Sequence, residues 1–399
     1  MSTLPPRIAT LVLVTGDGEL VGSLPPIPVS TPWWPDAEPV VRAARERFGV
    51  DVTVLRLLEA ELEGARGGAV TYLCEVAGPV REARPWSGRV DEHPLRQPWA
   101  RPGGPAADLD WADGVLVERG LRRSGPAIQA RTWNLSSLWC LPLADGAAGG
   151  AAWLKVVPSF FAHEGAILER LQSGPVPTLL GRDGPRVLMA EIPGQDLYDA
   201  ALPTLTELVS CLVDVQRSWI GRVEELIALG LPDWRDPALS EAIAAAVERT
   251  TAELAAHERA ILESFVADLP RLFAALAECG LPDTLVHGDF HPGSARGDGR
   301  TVTLLDWGDS GVGHPLLDQA AYFERMPNES LEAVRDHWRQ KWLAAVPGSD
   351  PARAGELIAP VAAARQAVIY WRFLDGIEPS EWPYHRADPA IWLRQTAEL

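Results

Sequence analysis

Two short motifs place carboxylate and histidine side chains close together along the chain. The first reads His-Gly-Asp-Phe-His-Pro-Gly-Ser over residues 287–294, and the second reads Leu-Asp-Trp-Gly over residues 305–308. Their carboxylates, Asp289 and Asp306, each follow a short apolar run typical of a β-strand, so we expect them on neighbouring loops. One carboxylate could accept the proton of a hydroxyl while the other holds Mg²⁺. The motifs therefore predict phosphoryl transfer, a reaction in which the protein mainly aligns a hydroxyl, a metal-bound phosphate chain and a cation.

The cation expected at such a site is Lys155. Only two of the 36 basic residues are lysine, and Lys155 lies on a predicted strand over residues 151–157. Lysine supplies a compact charge where the planar arginine fork would not serve. Glu164, on the helix predicted over residues 160–171, is the expected ion-pair partner. Glu169 is an alternative, but it lies five positions further along the helix and so points to a different face.

Together these motifs resemble the catalytic core of the aminoglycoside phosphotransferase family, small-molecule kinases that share the protein-kinase fold. The resemblance spans about residues 125–399. It implies that Asp289 is the catalytic base and Asp306 the principal Mg²⁺ ligand. It also implies that Lys155 binds the α- and β-phosphates of ATP with Glu164 as its partner. ATP and Mg²⁺ are therefore the expected cofactors, and the sequence leaves the choice between ATP and GTP open.

The resemblance also assigns supporting residues. The hinge, whose backbone contacts adenine, falls at residues 189–194, and the loop that covers the nucleotide falls at residues 134–137. The residues expected to bind the nucleotide in these segments are Ser136, Ser137, Glu191 and Ile192. Asp318 is expected to be structural, and His287 is expected to form a hydrogen bond beside the Asp306 loop rather than to act as a base.

Ser294 departs from the family pattern. The family usually has Asn five residues after the base, where this chain has Ser294. Mg²⁺ prefers hard oxygen ligands, and a serine hydroxyl supplies one on a shorter arm. Ser294 is thus a candidate catalytic and metal-binding residue, acting through water. It fits equally a weakened metal site, an engineered substitution, or a protein that binds nucleotide without turnover.

The predicted elements place these residues in two lobes. Strands are expected at about residues 126–134, 136–143, 151–157, 176–180 and 186–191. Long helices are expected at about residues 204–229, 238–268, 270–279, 329–345 and 352–375, with short β-like runs at 284–286 and 302–305. We therefore predict an α+β, two-lobed protein-kinase-like fold. Its sheet lobe covers residues 125–193 and its helical lobe covers residues 194–399, with a cleft between them.

A small α+β unit precedes the kinase-like region. Residues 1–80 show an order of strands and helix that resembles a Nudix domain, and residues 81–124 are predicted to be a linker with a short helix. The positions of that family's box glycine and of three of its carboxylates are here Pro28, Trp34, Ala43 and Arg47. Glu46 alone cannot build a Mg²⁺–diphosphate site. We therefore predict a degenerate domain used for packing, dimerisation or covering the cleft.

An acidic and aromatic group near the C-terminus is a candidate acceptor pocket. In the resembling family, acidic residues of the last helices often line the acceptor site and hold cationic sugars. The candidates here are Trp371, Asp375, Glu378 and Trp382. A solvated acidic turn explains the same residues equally well.

The charge balance argues against several other classes of protein. The 399-residue chain carries 54 acidic and 36 basic residues, and its formal charge of -18 disfavours a nucleic-acid partner. No apolar run reaches the roughly 18 to 20 residues of a membrane-spanning helix. Residues 1–20 lack a signal-peptide pattern. We therefore expect a cytoplasmic protein without a membrane partner.

Three functions fit these observations. The first is an ATP- and Mg²⁺-dependent phosphotransferase that transfers the γ-phosphoryl group to a hydroxyl of a small molecule, such as an antibiotic, an amino sugar or a related metabolite, including cationic ones. The second is a catalytically weak pseudokinase that acts as a nucleotide-binding interaction module. The third is a peptide Ser/Thr kinase. The sequence leaves the acceptor and the oligomeric state open.

Overall fold

The computed structural model describes residues 5–399, except for the side chains of Asp145 and Ala147. The chain forms two compact units. The first contains the residues up to Ala162 together with 179–191 and 372–387, and the second contains residues 163–178, 192–371 and 388–399. Within the described residues, no helix is both long enough and apolar enough to cross a lipid bilayer.

A four-stranded mixed sheet forms the N-terminal part of the first unit. Its strands are β1 (Arg7–Thr15), β2 (Leu20–Val29), β3 (Thr53–Ala60) and β4 (Gly68–Val76), and helix α1 (Glu38–Phe48) connects β2 to β3. The strand order is β2-β1-β4-β3, with β1 and β4 parallel and the other pairs antiparallel. Leu11, Val40 and Tyr72 belong to the buried core that α1 and the sheet share. These strands and this helix make up the α+β unit expected over residues 1–80, and its likeness to a Nudix domain stays a prediction.

A five-stranded antiparallel sheet forms the other part of the first unit. Its strands are β5 (Ile128–Trp133), β6 (Ser136–Pro142), β7 (Ala151–Val156), β8 (Leu179–Asp183) and β9 (Arg186–Ala190), in the order β5-β6-β7-β9-β8. Helix α2 (Gly104–Glu118) packs on this sheet through Ala112 and Leu116. Strand β8 begins three residues later than predicted, because Pro175 and Pro177 lack the N–H groups that a strand ladder needs.

Polar contacts join the two sheets within the first unit. The side chain of Gln129 accepts a hydrogen bond from the Val54 N–H at 2.8 Å and donates one to the Val54 carbonyl at 2.7 Å, so it bonds to β3 as a neighbouring strand would. Residues 372–387 complete the unit. The Tyr384 ring lies edge-on to Trp34 and Trp133, with centroids 5.6 Å and 5.7 Å away.

The second unit is mainly helical. Its helices are α3 (Glu164–Arg170), α4 (Leu202–Arg217), α5 (Val223–Ala228), α6 (Ala238–Thr250), α7 (Ala256–Glu278), α8 (Gln319–Glu324), α9 (Leu331–Ala345), α10 (Pro351–Gly376, whose last turn belongs to the first unit) and α11 (Asp388–Glu398). A three-stranded sheet contains β10 (Gln195–Asp196), β12 (Ala295–Gly297) and β13 (Val302–Leu304). Strands β11 (Thr284–Val286) and β14 (Gly311–Gly313) form an antiparallel pair. The predicted runs at 284–286 and 302–305 are thus β11 and β13.

The structure differs from the predicted boundaries of the long helices at two places. The helix predicted over 204–229 is divided into α4 and α5, and Gly221 adopts a positive φ of 76° in the segment between them. The predicted break near residue 269 is wrong, since α7 continues through Pro270 to residue 278. The chain breaks after α6 instead, where the Glu258 carboxylate accepts a hydrogen bond from the Ala255 N–H at 2.7 Å and so caps the start of α7.

Glu381 gives the first unit a predictable response to pH. Its side chain is 2% exposed, and burial, with Glu378 beside it, raises the pKa of Glu381 to about 8 against the opposing charges of Arg56 and Arg96. Between pH 4.5, its ordinary pKa, and about pH 8 the folded protein therefore binds more protons than the unfolded chain. We predict that the free energy of unfolding falls as pH rises through this window, and that Glu381→Gln removes that part of the fall.

Denaturant unfolding at several pH values measures this effect. The exposed Glu82 supplies the matched control, because Glu82→Gln makes the same chemical change at the surface of the same unit. The control should retain the wild-type pH dependence. Identical pH dependence in the wild type and Glu381→Gln would contradict the prediction.

Candidate active site

The base loop, defined as residues 287–291, is fixed by a buried carboxylate. Asp318 has no exposed surface, and it accepts hydrogen bonds from the backbone N–H groups of His287 at 2.9 Å and Gly288 at 2.7 Å. Gln216 on α4 donates to the same carboxylate at 3.0 Å. Burial raises the pKa of Asp318 to about 6, although the two backbone N–H groups lower it. The structural role expected of Asp318 is confirmed.

The base loop is also anchored by an aromatic side chain. Phe290 follows the base directly and is fully buried. Its ring stacks on that of Tyr322 in α8, with centroids 4.7 Å apart and an interplanar angle of 10°. The residue after Asp289 therefore belongs to the helical core, which restricts the movement of the base itself.

The loop of the predicted metal ligand, called the metal loop and defined as residues 306–309, begins two residues after the end of β13. Asp306 is exposed and adopts left-handed backbone angles, with φ 57° and ψ 56°. Asp tolerates this region better than most residues, but the conformation still costs on the order of 1–3 kcal/mol and occurs mainly at functional sites. The strain therefore supports a functional role for this loop.

Two hydrogen bonds connect Leu305, the residue before the metal loop, to the motif at residues 287–294. The Leu305 N–H donates to the Ser294 carbonyl at 2.8 Å, and the His287 Nε2 donates to the Leu305 carbonyl at 2.7 Å. Burial lowers the pKa of His287 to about 4, so its imidazole is neutral at physiological pH. His287 therefore forms the expected structural hydrogen bond beside the Asp306 loop.

Asp289 is held at both carboxylate oxygens. Arg325 lies 3.0 Å from Oδ1, and the His291 Nε2 lies 3.4 Å from Oδ2. Because the His291 Nδ1 accepts a hydrogen bond from the Gly293 N–H at 3.0 Å, the proton of the neutral ring is on Nε2 and points to the carboxylate. Burial alone would raise the pKa of Asp289, but Arg325 and His291 hold it well below its usual range.

The Asp289 carboxylate can still receive a proton from an acceptor molecule. Its side chain is 34% exposed, and each carboxylate oxygen has more than one lone-pair position. Tyr198 lies beside His291, with the two ring centroids 5.7 Å apart. A Cβ on Gly293 would come within 2.1 Å of the Tyr198 ring, so the glycine permits this close approach. The base thus lies in a partly covered but accessible position.

Ser294 lies three residues after the base loop and forms hydrogen bonds to it. Its side chain is 1% exposed, and its hydroxyl donates to the Asp289 carbonyl at 2.7 Å. The Ser294 N–H donates to the His291 carbonyl at 2.8 Å. These contacts favour a loop that is packed around the short side chain of Ser294. They give less support to the alternative, in which Ser294 is a weaker version of the Mg²⁺ ligand that the family has at this position.

Asp306 fits a metal that is bound together with a nucleotide. Among the side chains that the structure describes, no three His, Cys, Asp or Glu residues form a metal site by themselves. Mg²⁺ in phosphoryl-transfer sites is usually held by one or two carboxylates, water and the substrate phosphates. The exposed carboxylate of Asp306 is suited to that arrangement, whereas the buried Ser294 oxygen is not directly accessible.

The first unit carries the predicted lysine and the two predicted serines. Lys155 is half-buried on β7, opposite Leu138 of β6 and Val187 of β9. The predicted covering loop is a tight connection, and Ser136 and Ser137 lie on β6 itself. Their hydroxyls accept hydrogen bonds from Trp133 and Trp139 respectively, each at 3.0 Å. Because Ser137 is 1% exposed, its side chain is directed into the sheet lobe rather than to a nucleotide, which corrects its predicted role.

The predicted hinge marks the boundary of the two units, which falls between Glu191 and Ile192. The Glu191 N–H donates to the Ala151 carbonyl at 3.0 Å, and its carboxylate accepts a hydrogen bond from the Trp153 indole at 2.6 Å. Glu191 therefore extends the sheet of the first unit. Contact of this backbone with adenine stays a prediction.

Burial distinguishes the two glutamates considered as partners of Lys155. Glu164 opens α3 and is 2% exposed, whereas Glu169 is exposed to solvent. Helix α3 packs against the turn at residues 307–309. This placement favours Glu164, and its pairing with Lys155 stays a prediction.

The four residues of the predicted acceptor pocket have different surroundings. Trp371, in the second unit, donates to the Thr250 hydroxyl at 2.9 Å. Trp382, in the first unit, donates to the Leu374 carbonyl at 3.2 Å, and Asp375 is exposed. Glu378 requires a correction, because its carboxylate is 5% exposed and lies 3.2 Å from both Arg56 and Arg96. Its charge is neutralised inside the first unit and is not available to a cationic acceptor.

Sequence reasoning missed Arg325 and Arg365, which contact the base loop. Arg325 follows α8 and contacts Asp289 directly, and nothing in its local sequence distinguishes it from a surface arginine. Arg365 could have been noticed, because it interrupts a run of Ala and Val in the middle of α10. A charge at such a position is buried only where polar groups satisfy it.

Comparisons with known proteins agree with this geometry. Residues 149–357 match the model of APH, the phosphotransferase enzyme family. A comparison with curated protein sequences gives no significant match.

Three solved structures resemble the chain at low sequence identity. A macrolide 2'-phosphotransferase type I has 17% identity and a TM-score of 0.52, and the alignment covers 72% of this chain and 97% of that one. A choline/ethanolamine kinase family protein from Mesorhizobium loti has 15% identity and a TM-score of 0.51, with 73% and 94% covered. The GDP complex of aminoglycoside 2'-phosphotransferase-IIIa has 14% identity and a TM-score of 0.50, with 73% and 98% covered. The predicted protein-kinase-like fold, with a sheet lobe and a helical lobe, is thereby confirmed.

Substitution of Ser294 distinguishes a specialised loop from a weakened metal ligand. We predict that Ser294→Asn lowers both thermal stability and ATP turnover, because overpacking a site that is 1% exposed costs about 1–3 kcal/mol. Ser294→Ala should cost only about 1 kcal/mol for its hydrogen bond and leave the Mg²⁺ requirement unchanged. Thermal unfolding and a Mg²⁺ titration of turnover measure both effects. An Asn variant that keeps its stability and needs less Mg²⁺ would identify Ser294 as a weakened ligand instead.

Proposed function

Because the chain belongs to the phosphotransferase enzyme family, we propose that it transfers the γ-phosphoryl group of ATP to a hydroxyl of a small molecule with the help of Mg²⁺. The observation that carries the proposal is the state of Asp289. Its carboxylate is kept ionised by Arg325 and His291, remains partly exposed, and belongs to a loop bonded to the chain beside Asp306. A base and a metal-binding carboxylate on adjoining loops are what phosphoryl transfer needs.

In the proposed reaction Asp289 takes the proton of the acceptor hydroxyl. The hydroxyl oxygen forms a bond to the γ-phosphorus, the bond between that phosphorus and the bridging oxygen of ADP breaks, and the proton stays on Asp289 until it is lost to water. Arg325 and His291 orient the carboxylate, and both remain bonded to it as it receives the proton. Positioning of this kind supplies much of the rate in phosphoryl transfer.

The proposed nucleotide site uses the residues that the sequence predicts for it. Lys155 supplies the charge for its α- and β-phosphates, Glu164 fixes that lysine, and the backbone at Glu191 and Ile192 receives the adenine. Asp306 would hold Mg²⁺, with Ser294 reaching it only through water, and the bound ion would neutralise charge on the phosphates.

The proposed acceptor is an antibiotic, an amino sugar or a related metabolite that carries a free hydroxyl. The relatives in fold are named for macrolides, aminoglycosides, and choline or ethanolamine. A formal charge of -18 attracts cationic molecules to the protein and so favours a cationic acceptor. Asp375 is the exposed carboxylate of the predicted pocket.

The N-terminal sheet is proposed to be a degenerate, non-hydrolytic domain that serves packing. Two of the positions where a Nudix domain would need its box residues are structural here. Pro28 pairs with Ile8 in the sheet. Trp34 is 1% exposed and donates its indole N–H to the Gly67 carbonyl at 2.7 Å. Neither can contribute to a metal site.

Transfer from γ-labelled ATP to a panel of small-molecule hydroxyl acceptors tests the proposed function. Asp289→Asn should lower the rate by roughly 10² to 10⁴ through loss of the base, and Asp306→Asn should be similarly severe. Asp298→Asn is the matched control, because it makes the same change at an exposed aspartate in the turn between the two motifs. ATP binding without transfer to any acceptor would support a pseudokinase, and transfer only to peptides would support a protein kinase.

The two lysines of the chain give a second test. We predict that Lys155→Arg lowers ATP turnover steeply, because the longer planar fork misplaces the charge between phosphate and Glu164. Lys341→Arg is the matched control, since Lys341 forms only a 3.5 Å surface pair with Asp214. Nucleotide titration and turnover should change in the first variant alone. Equal values for Lys155→Arg and the wild type would contradict the role given to Lys155.

A further inference from the structure

A buried charge lies at the centre of α10. Arg365 follows Ala362, Ala363 and Ala364 in an otherwise apolar part of the helix, and its side chain has no exposed surface. Burying a guanidinium is unfavourable unless polar groups replace its water. Its partners therefore indicate why an arginine is present at this position.

The guanidinium of Arg365 contacts both catalytic loops. Its Nη1 donates to the Gly288 carbonyl at 3.1 Å, and its Nη2 donates to the Asp309 carbonyl at 3.3 Å. The group also lies over the Trp234 indole, 4.8 Å from the ring centroid. The next residue, Gln366, donates to the Gly288 carbonyl of the base loop at 3.1 Å.

These two carbonyls lie where the loops touch. Gly288 adopts a φ of +98°, and a Cβ at this position would lie 2.0 Å from the Asp309 oxygen. The loops therefore meet backbone to backbone, with no intervening side chain to set their separation. Arg365 bonds to both sides of this contact. Gly288 immediately precedes Asp289, and Asp309 is the last residue of the loop that begins with Asp306.

We propose that Arg365 is a positioning residue that fixes the spacing between the base loop and the metal loop, and hence between the base and the metal-binding carboxylate. The proposal rests on the proposed function for the roles of Asp289 and Asp306. It assigns no contact with substrate to Arg365. Its action is transmitted through the backbone at Gly288 and Asp309.

Lysine cannot replace this arginine. The two donors of Arg365 belong to one rigid planar fork, so they hold two carbonyls at a fixed separation. An ammonium is a single centre on a flexible chain and does not impose that separation. A small change in the relative position of catalytic groups lowers rates strongly, and substitutions that disturb the support of a metal site typically cost about ten- to a hundredfold in activity or metal affinity.

Turnover and Mg²⁺ dependence of Arg365→Lys form the first part of the test. We expect kcat to fall and the Mg²⁺ concentration for half-maximal rate to rise, each by about ten- to a hundredfold. Arg7→Lys is the matched control, because Arg7 is also fully buried and also donates to two carbonyls, those of Trp34 and Asp36, but in the N-terminal sheet. The control should lose stability and retain the wild-type kcat and Mg²⁺ requirement.

Hydrogen exchange of the protein without nucleotide forms the second part and does not depend on activity. Arg365→Lys should accelerate amide exchange in peptides covering residues 287–291 and in those covering 306–309. Gln366→Leu should accelerate exchange in the first group only and leave the Mg²⁺ requirement unchanged. If Arg365→Lys does not fold, the Gln366 variant still tests the proposal, because a raised Mg²⁺ requirement in that variant would show that Arg365 alone does not set the spacing.

The outcomes separate this inference from the proposed function. A wild-type protein that transfers no phosphate to any acceptor would defeat the proposed function, whatever the exchange data show. An active wild type with unchanged kcat, Mg²⁺ requirement and loop exchange in folded Arg365→Lys would overturn the role of Arg365 and leave the proposed function standing. A loss of stability alone, as expected for Arg7→Lys, would also overturn it.

Discussion

The peptide between His287 and Gly288 is the point on which the candidate site depends. Its N–H and that of the preceding peptide bind the buried carboxylate of Asp318, and the Gly288 carbonyl binds Arg365 and Gln366. The side chains of Asp318, Arg365 and Gln366 are all buried. Removing one of them would therefore leave the polar group that it bonds buried without a hydrogen-bond partner, which is destabilising. The backbone that carries Asp289 is therefore defined from two sides before any substrate is bound.

The helical unit can be understood as the support of this peptide. Helix α4 provides Gln216 for Asp318, α8 provides the ring on which Phe290 stacks, and α10 provides Arg365. The base side chain itself has a different environment, between Arg325 and His291 and partly open to solvent. A general base needs a rigid backbone, because its carboxylate must be held within hydrogen-bond distance of the acceptor hydroxyl. It also needs an accessible carboxylate, because the hydroxyl must reach it to transfer its proton.

The local sequence was enough to predict elements that are defined by residues close together in the chain. Strands β11 and β13 and the loops after them follow from short motifs, whereas the structural role of Asp318 was implied by the family resemblance. The partners of Glu378 could not be predicted in the same way, because Arg96 precedes it by 282 residues and no local pattern connects the two. The α6–α7 boundary was missed because it is marked by a glutamate cap at the start of α7, while Pro270 is tolerated inside α7.

The central claim is that Asp289 serves as the base for phosphorylation of a small-molecule hydroxyl. The most direct measurement is mass spectrometry of a metabolite and antibiotic mixture incubated with ATP, Mg²⁺ and either the wild type or Asp289→Asn. The account predicts one or more phosphate monoesters formed in equal amount with ADP by the wild type and absent with the variant. ADP formed without any phosphorylated acceptor, or the same monoester formed equally fast by Asp289→Asn, would contradict it.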